Sequence, residues 1–115
     1  MPHLQLDHST TISIKPLLEL LTEEFCQIKT IDPASVKSYS RTAEHFNPGN
    51  GAPNQFIHLT ACLLEGRNPE TLKEISDRLY ALGSEYIERY ADSPVSWTLE
   101  IREMNHPTYR KSTVG

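Results

Sequence analysis

The residue best placed to do chemistry in this 115-residue chain is its second. The sequence opens Met1-Pro2-His3 and runs into His3-Leu4-Gln5-Leu6-Asp7, whose alternating leucines have the period of a half-buried strand. An initiator methionine before a residue as small as proline is usually removed, which leaves a free secondary amine leading that strand. In water such an amine is too basic to be uncharged at neutral pH. Desolvation and nearby cations both disfavour its charged form, and a base poised near the working pH is the useful one. Held rigidly at a strand end and out of bulk water, Pro2 is a candidate general base; read blandly, it is an ordinary second residue. Arg67 is the next candidate, in the turn Glu65-Gly66-Arg67 before Asn68-Pro69. A guanidinium grips a carboxylate through two hydrogen bonds, and a helix N-terminus beside it also favours anions. Its bland alternatives are a solvated loop arginine or a partner for Glu70.

The elements that would hold these residues are legible in outline. After the first strand, Ser9 to Ser13 is polar and turn-like. Ser13 is a candidate cap for a helix with Pro16 in its early turn, where a missing amide hydrogen costs little. Ile14, Leu17, Leu18, Leu21, Phe25 and Ile28 then recur at helical spacing. Val36 to Phe46 reads as a second strand with Lys37 and Arg41 on one face. The stretch from Asn47 to Asn54 is a loop by its Asn, Pro and Gly content. Phe56 to Leu64 is rich enough to be a central strand. A capped helix follows from Asn68-Pro69, with Leu72, Ile75, Leu79, Leu82 and Tyr86 down one face. Val95 to Ile101 is a fourth strand with Trp97, Leu99 and Ile101 on one side, and the tail from Asn105 is polar.

Strand, helix, strand, repeated, predicts an α/β (α+β) chain made of two fused βαβ units, about 2–47 and 55–104, in a single domain over 1–115. Helical crossovers of this kind are right-handed. The expected product is a four-stranded mixed sheet with both helices on one face. The other face then needs a cover, and a second subunit is the natural one.

Composition narrows the function. There are 11 basic and 15 acidic residues, a net charge of −4 and no basic stripe, which argues against nucleic acid. No apolar run approaches the roughly 20 residues of a membrane span. His3, Gln5, Asp7 and His8 interrupt any signal-peptide pattern. Cys26 and Cys62 match no metal or redox spacing and read as buried thiols in a reducing cytoplasm. Five histidines show no short ligand spacing, so no metal site is expected. His58 reads as a hydrogen-bonded core or interface residue, and His106 as either a pocket border or a tail residue. Tyr39 and Trp97 are candidates for an apolar wall beside Pro2, or plain core.

Three pieces, in order, carry a resemblance. Leu64-Glu65-Gly66-Arg67-Asn68-Pro69-Glu70-Thr71-Leu72-Lys73 looks like the strand-end and capped-helix signature of 4-oxalocrotonate tautomerase. The Met1-Pro2-His3 start, Phe56-Ile57-His58-Leu59-Thr60 before Gly66-Arg67, and an acidic strand end before His106-Pro107-Thr108 resemble the 5-carboxymethyl-2-hydroxymuconate isomerase family of the same tautomerase superfamily. The similarity spans the chain and is clear at the N-terminus and from Phe56 onward. It implies a cofactor-independent isomerase in aromatic-compound breakdown that moves a proton in a small unsaturated diacid, with Pro2 as the base. It implies Arg67 as a carboxylate clamp and a second cation on the second strand. Arg41 is preferred there because Ser40-Arg41 resembles the family's serine-arginine pair; Lys37 is the alternative, and a salt bridge across the sheet is the other use for Arg41. The resemblance also implies a homotrimer with active sites near subunit contacts.

Two other readings stand beside this one. The same scaffold supports dehalogenation or decarboxylation in superfamily relatives, which would call for a water-activating carboxylate near Pro2, with Asp7 or Glu100 to be tested. The chain is otherwise a non-catalytic oligomeric binding protein on an inherited fold. Retention of Met1 in the native protein would favour that last reading, because it blocks the amine.

Overall fold

The alternation of the first strand becomes burial: Leu4 and Leu6 are fully buried while His3, Gln5 and Asp7 are only partly so. The computed structural model describes residues 2–9 and 12–115. Met1, whose removal the sequence leads one to expect, and Thr10 and Thr11 of the expected turn lie outside the described residues. The elements run β1 (His3–His8), α1 (Ile14–Cys26), β2 (Lys37–Thr42), β3 (Phe56–Leu64), α2 (Pro69–Tyr90) and β4 (Ser96–Met104), with single-turn 3-10 helices at Pro33–Ser35 and His106–Thr108.

The four strands form one sheet in the order β2-β1-β3-β4. β1 runs parallel to β2 and β3 parallel to β4, while the two units meet antiparallel along β1 and β3. One core joins Leu4, Leu6, Ile57, Leu59, Ala61 and Leu63 of the sheet to Leu17, Leu21 and Phe25 of α1 and to Ile75, Leu79 and Ile87 of α2. Both helices therefore cover the same face, as the duplicated pattern predicts. The strand residues of opposite parity form the other face. There the register sets Lys37, His3, Cys62 and Arg102 in one row, Tyr39, Gln5, Thr60 and Glu100 in the next, and Arg41, Asp7, His58 and Thr98 in the third.

Local chemistry explains the element ends. The Asn68 side chain accepts from the Thr71 amide at 2.8 Å, and Pro69 follows where no amide hydrogen is needed. Ser13 stands at the N-cap of α1 but makes no side-chain cap bond. Its carbonyl instead accepts the Tyr86 hydroxyl at 2.7 Å, pinning the start of α1 to α2. β2 stops at Thr42 rather than reaching Phe46. Its only neighbour, β1, ends at His8, and the amide of Ala43 makes the closing bond to the His8 carbonyl at 2.8 Å. Beyond that point the edge strand has no paired residue among those described.

Candidate active site

Pro2 continues the buried side of β1 and is itself buried. His3 pairs with Lys37 on one side and Cys62 on the other, so Pro2 is level with the start of β2 and the end of β3. Its carbonyl accepts the Lys37 amide at 3.0 Å. The same end of the sheet holds the last pair of β3 and β4, Leu64 with Met104, and the turn that carries Arg67. Gly66 adopts φ +125° in that turn, a conformation that L side chains rarely take, which lets the chain leave β3 sharply for the α2 cap.

Arg67 is half-buried and well held. Its Nε donates to Thr30 Oγ1 at 3.1 Å, Nη2 to the Thr30 carbonyl at 3.2 Å and Nη1 to the Leu64 carbonyl at 3.2 Å. Its bonds go to Thr30 and Leu64 rather than to Glu70, and they tie the end of β3 to the connection after α1. Lys37 begins β2 on the open face beside His3, exposed and close to Pro2 in register. Arg41 lies four residues further along, about 13 Å at the usual strand rise. There it faces Asp7 and is hydrogen-bonded to both its carboxylate oxygens, at 2.8 and 3.0 Å. Within one chain the structure gathers Pro2, Lys37 and Arg67 at one end of the sheet and leaves Arg41 at the other, in the cross-sheet ion pair that was its alternative use.

The imidazole of His3 is pushed below its ordinary 6.5, first by burial and then by nearby positive charge, Lys37 included.

Several other candidates fall elsewhere. Asp7 is five residues from Pro2 along β1, about 17 Å away at strand rise, and is engaged by Arg41. Glu100 accepts from His58 at 3.1 Å and from Arg102 at 3.0 Å, and the His58 bond is the main reason its carboxyl is held below the usual range. Trp97 is level with Ile57 and packs beneath α2, while Tyr39 lies on the open face beside Arg41, so neither walls Pro2. His106 does reach the Pro2 end, where its amide donates to Glu65 at 2.6 Å. Two residues that the sequence did not single out join this end: Thr30, the partner of Arg67, and Arg102, in the row of His3. Register could have revealed Arg102; nothing local marks Thr30. The cysteines are free, and burial is the largest influence on both thiols, pushing each up. A groove of about 740 Å³ lies between α1 and α2 at the opposite end, near Pro16, Leu20, Leu82 and Tyr90. Among the described residues no group of three His, Cys, Asp or Glu could hold a metal ion, and no helix is long and apolar enough to cross a membrane.

Two βαβ units fused antiparallel into one four-stranded sheet, both helices on one face, define a tautomerase-like fold. The solved structure of a 5-carboxymethyl-2-hydroxymuconate isomerase from Deinococcus radiodurans R1 superposes with a TM-score of 0.85 at 20% identity, covering 98% of this chain and 90% of that one. A 5-carboxymethyl-2-hydroxymuconate delta-isomerase gives 0.80 at 12% identity, covering 100% and 89%. A fused 4-OT described as a wild-type symmetric trimer gives 0.70 at 14% identity, covering 90% and 87%. At these identities the likeness is one of fold. The sequence itself settles the family: residues 2–114 match the 5-carboxymethyl-2-hydroxymuconate isomerase model, and the chain belongs to that family. It is an isomerase of the tautomerase type. No curated protein sequence matches it.

Proposed function

We propose that the protein moves a proton within a small unsaturated dicarboxylate of the 5-carboxymethyl-2-hydroxymuconate type, without a cofactor, using Pro2 as the base. The observation that carries this reading is the burial of Pro2 at a sheet end that also holds Lys37 and Arg67. With Met1 removed, the lone pair of the Pro2 nitrogen takes the enol proton of a 2-hydroxydienol. The enol C–O bond becomes a carbonyl and the conjugated double bonds shift. The protonated proline then returns that proton to the distal carbon, so the amine is regenerated and nothing else is consumed. A one-base shuttle of this kind needs an amine that is free near neutral pH, and the burial of Pro2 with Lys37 beside it works in that direction.

Arg67 holds one substrate carboxylate and Lys37 screens the other. Arg41 is out of reach of Pro2 in its own chain and serves a neighbour's site in a homotrimer, an assembly named for the fused 4-OT structure. The polar open face is where such neighbours meet. The enzyme works in the cytoplasm, where Cys26 and Cys62 stay reduced.

The test is ketonisation of a 2-hydroxymuconate-type diacid followed by ultraviolet absorbance, with protein shown by mass to start at Pro2, beside Pro2→Ala and Arg67→Ala. Activity lost in both variants supports the reading. Activity equal to that of the variants would mean that the proline is structural.

A further inference from the structure

One residue occupies a whole edge of the Arg67 fork. The Nε and Nη2 hydrogens, which together offer a carboxylate two parallel bonds, go to the hydroxyl and the carbonyl of Thr30. A third goes from Nη1 to the Leu64 carbonyl. Arginine has five N–H donors in a rigid fork, so one hydrogen on each terminal nitrogen remains for an anion. The fork can therefore meet a carboxylate only through its terminal nitrogens.

Thr30 is itself exposed, but the turn that carries it is anchored on both sides. It lies between Ile28 and Ile31, both buried at 5% exposure, and the Ile31 amide closes the turn onto the Ile28 carbonyl at 2.9 Å. The same connection leads into β2, whose first amide bonds to Pro2. Arg67 is thus indexed to the strand that holds the proline, not merely to its own turn. A cation fixed in advance loses less freedom when its ligand arrives, which is the usual gain from preorganisation.

We propose that Thr30 is a positioning residue for substrate: its hydroxyl and carbonyl fix Arg67 so that the two terminal nitrogens present their remaining hydrogens to a substrate carboxylate beside Pro2. This rests on Arg67 being the carboxylate clamp proposed above. Loss of the hydroxyl loosens the clamp without touching the base, so it weakens substrate and transition state alike, the signature of which is a raised KM at constant kcat.

The experiment compares Thr30→Val, which removes the hydroxyl at nearly constant shape, with Thr30→Ser, which keeps it, using 2-hydroxymuconate as substrate and Arg67→Ala alongside. A hydrogen bond to a charged group corresponds to roughly a tenfold effect or more. The expected result is KM up about tenfold in Thr30→Val, kcat within about twofold, and KM restored in Thr30→Ser. A normal KM in Thr30→Val with a raised one in Arg67→Ala overturns the role of Thr30 and leaves the clamp standing. A normal KM in Arg67→Ala overturns both. Equal loss in the Val and Ser variants, tracking a fall in melting temperature, would make Thr30 a loop brace and also overturn the proposal.

Discussion

Arg41 and Asp7 face each other across the β1–β2 pair and are joined by two hydrogen bonds, Nε to one carboxylate oxygen at 2.8 Å and Nη2 to the other at 3.0 Å. The pair sits on the open face, at the end of the sheet away from Pro2. A cation so placed cannot reach its own chain's proline, so its proposed role is at a neighbour's site. The expected consequence is complementation. Pro2→Ala and Arg41→Ala chains, each weak alone, regain a measurable share of activity when denatured together and refolded into mixed oligomers. Ketonisation rates of the mixture against the separate refolded variants decide the point; no gain would assign Arg41 to structure.

As a structural contact the same ion pair is weak. The side chains are 56% and 30% exposed, and exposed pairs contribute about 0–1 kcal/mol. Asp7→Asn is therefore expected to cost under about 1 kcal/mol, read from urea unfolding, with a smaller cost still at high salt. A larger loss would show that the open face depends on this pair.

Acid should weaken the fold in two steps. His3 is depressed, so its charged form is disfavoured in the folded state. Stability is full above the ordinary value of 6.5 and declines as pH falls below it toward the folded value. Glu100 is also depressed, chiefly by its hydrogen bond from His58, so its contribution is present above 4.5 and is lost as pH falls through its lower folded value. Urea midpoints taken from pH 8 downward should fall in both windows. His3→Gln should remove the upper decline and leave the lower one.

Where α2 crosses β4 the fit leaves no room for a methyl group. A Cβ at Gly83 would come within 3.0 Å of three ring atoms of Trp97, and Trp97 is fixed by its indole N–H donating to Ser84 Oγ at 3.1 Å. Alanine would gain about 1 kcal/mol in helix propensity, but overpacking a tight contact costs about 1–3 kcal/mol. Gly83→Ala is expected to be destabilising on balance, and in combination with Trp97→Phe less so than the sum of the two. Stabilisation by Gly83→Ala alone would show that the helix shifts freely over the sheet.

Periodicity made most of the architecture readable. Leu4 and Leu6 gave a strand, the Leu17, Leu21 and Phe25 row a helix, and Asn68-Pro69 a helix start that the structure reproduces. What failed to show was set by partners distant in sequence. β2 is an exposed edge whose serines and threonine carry no burial pattern, so its end depends on where β1 stops. Trp97 looked available to the proline because alternation names a face but not a position along the sheet; register with Ile57 puts it at the far end. Pro2 and Arg67 could be singled out locally. Thr30 could not, because it is tied to Arg67 by a contact across 37 residues.

Lys37 offers the sharpest separation between a clamp and an electrostatic role. It pairs with His3, its amide bonds to Pro2, and its ammonium adds to the positive charge that pushes His3 down. The same charge disfavours a protonated amine at Pro2. Lys37→Met keeps most of the stem and removes the charge, so the amine's pKa should rise. With Pro2 as the proposed base, which acts in its neutral form, kcat/KM is expected to increase with pH through that pKa, and its acidic limb should move to higher pH in the variant. At a pH well above the limb the two proteins should then differ only by what Lys37 contributes to holding substrate. A limb that stays in place while KM rises at every pH would make Lys37 a substrate contact alone. A limb that moves with KM unchanged on its plateau would make it a tuning charge for the proline.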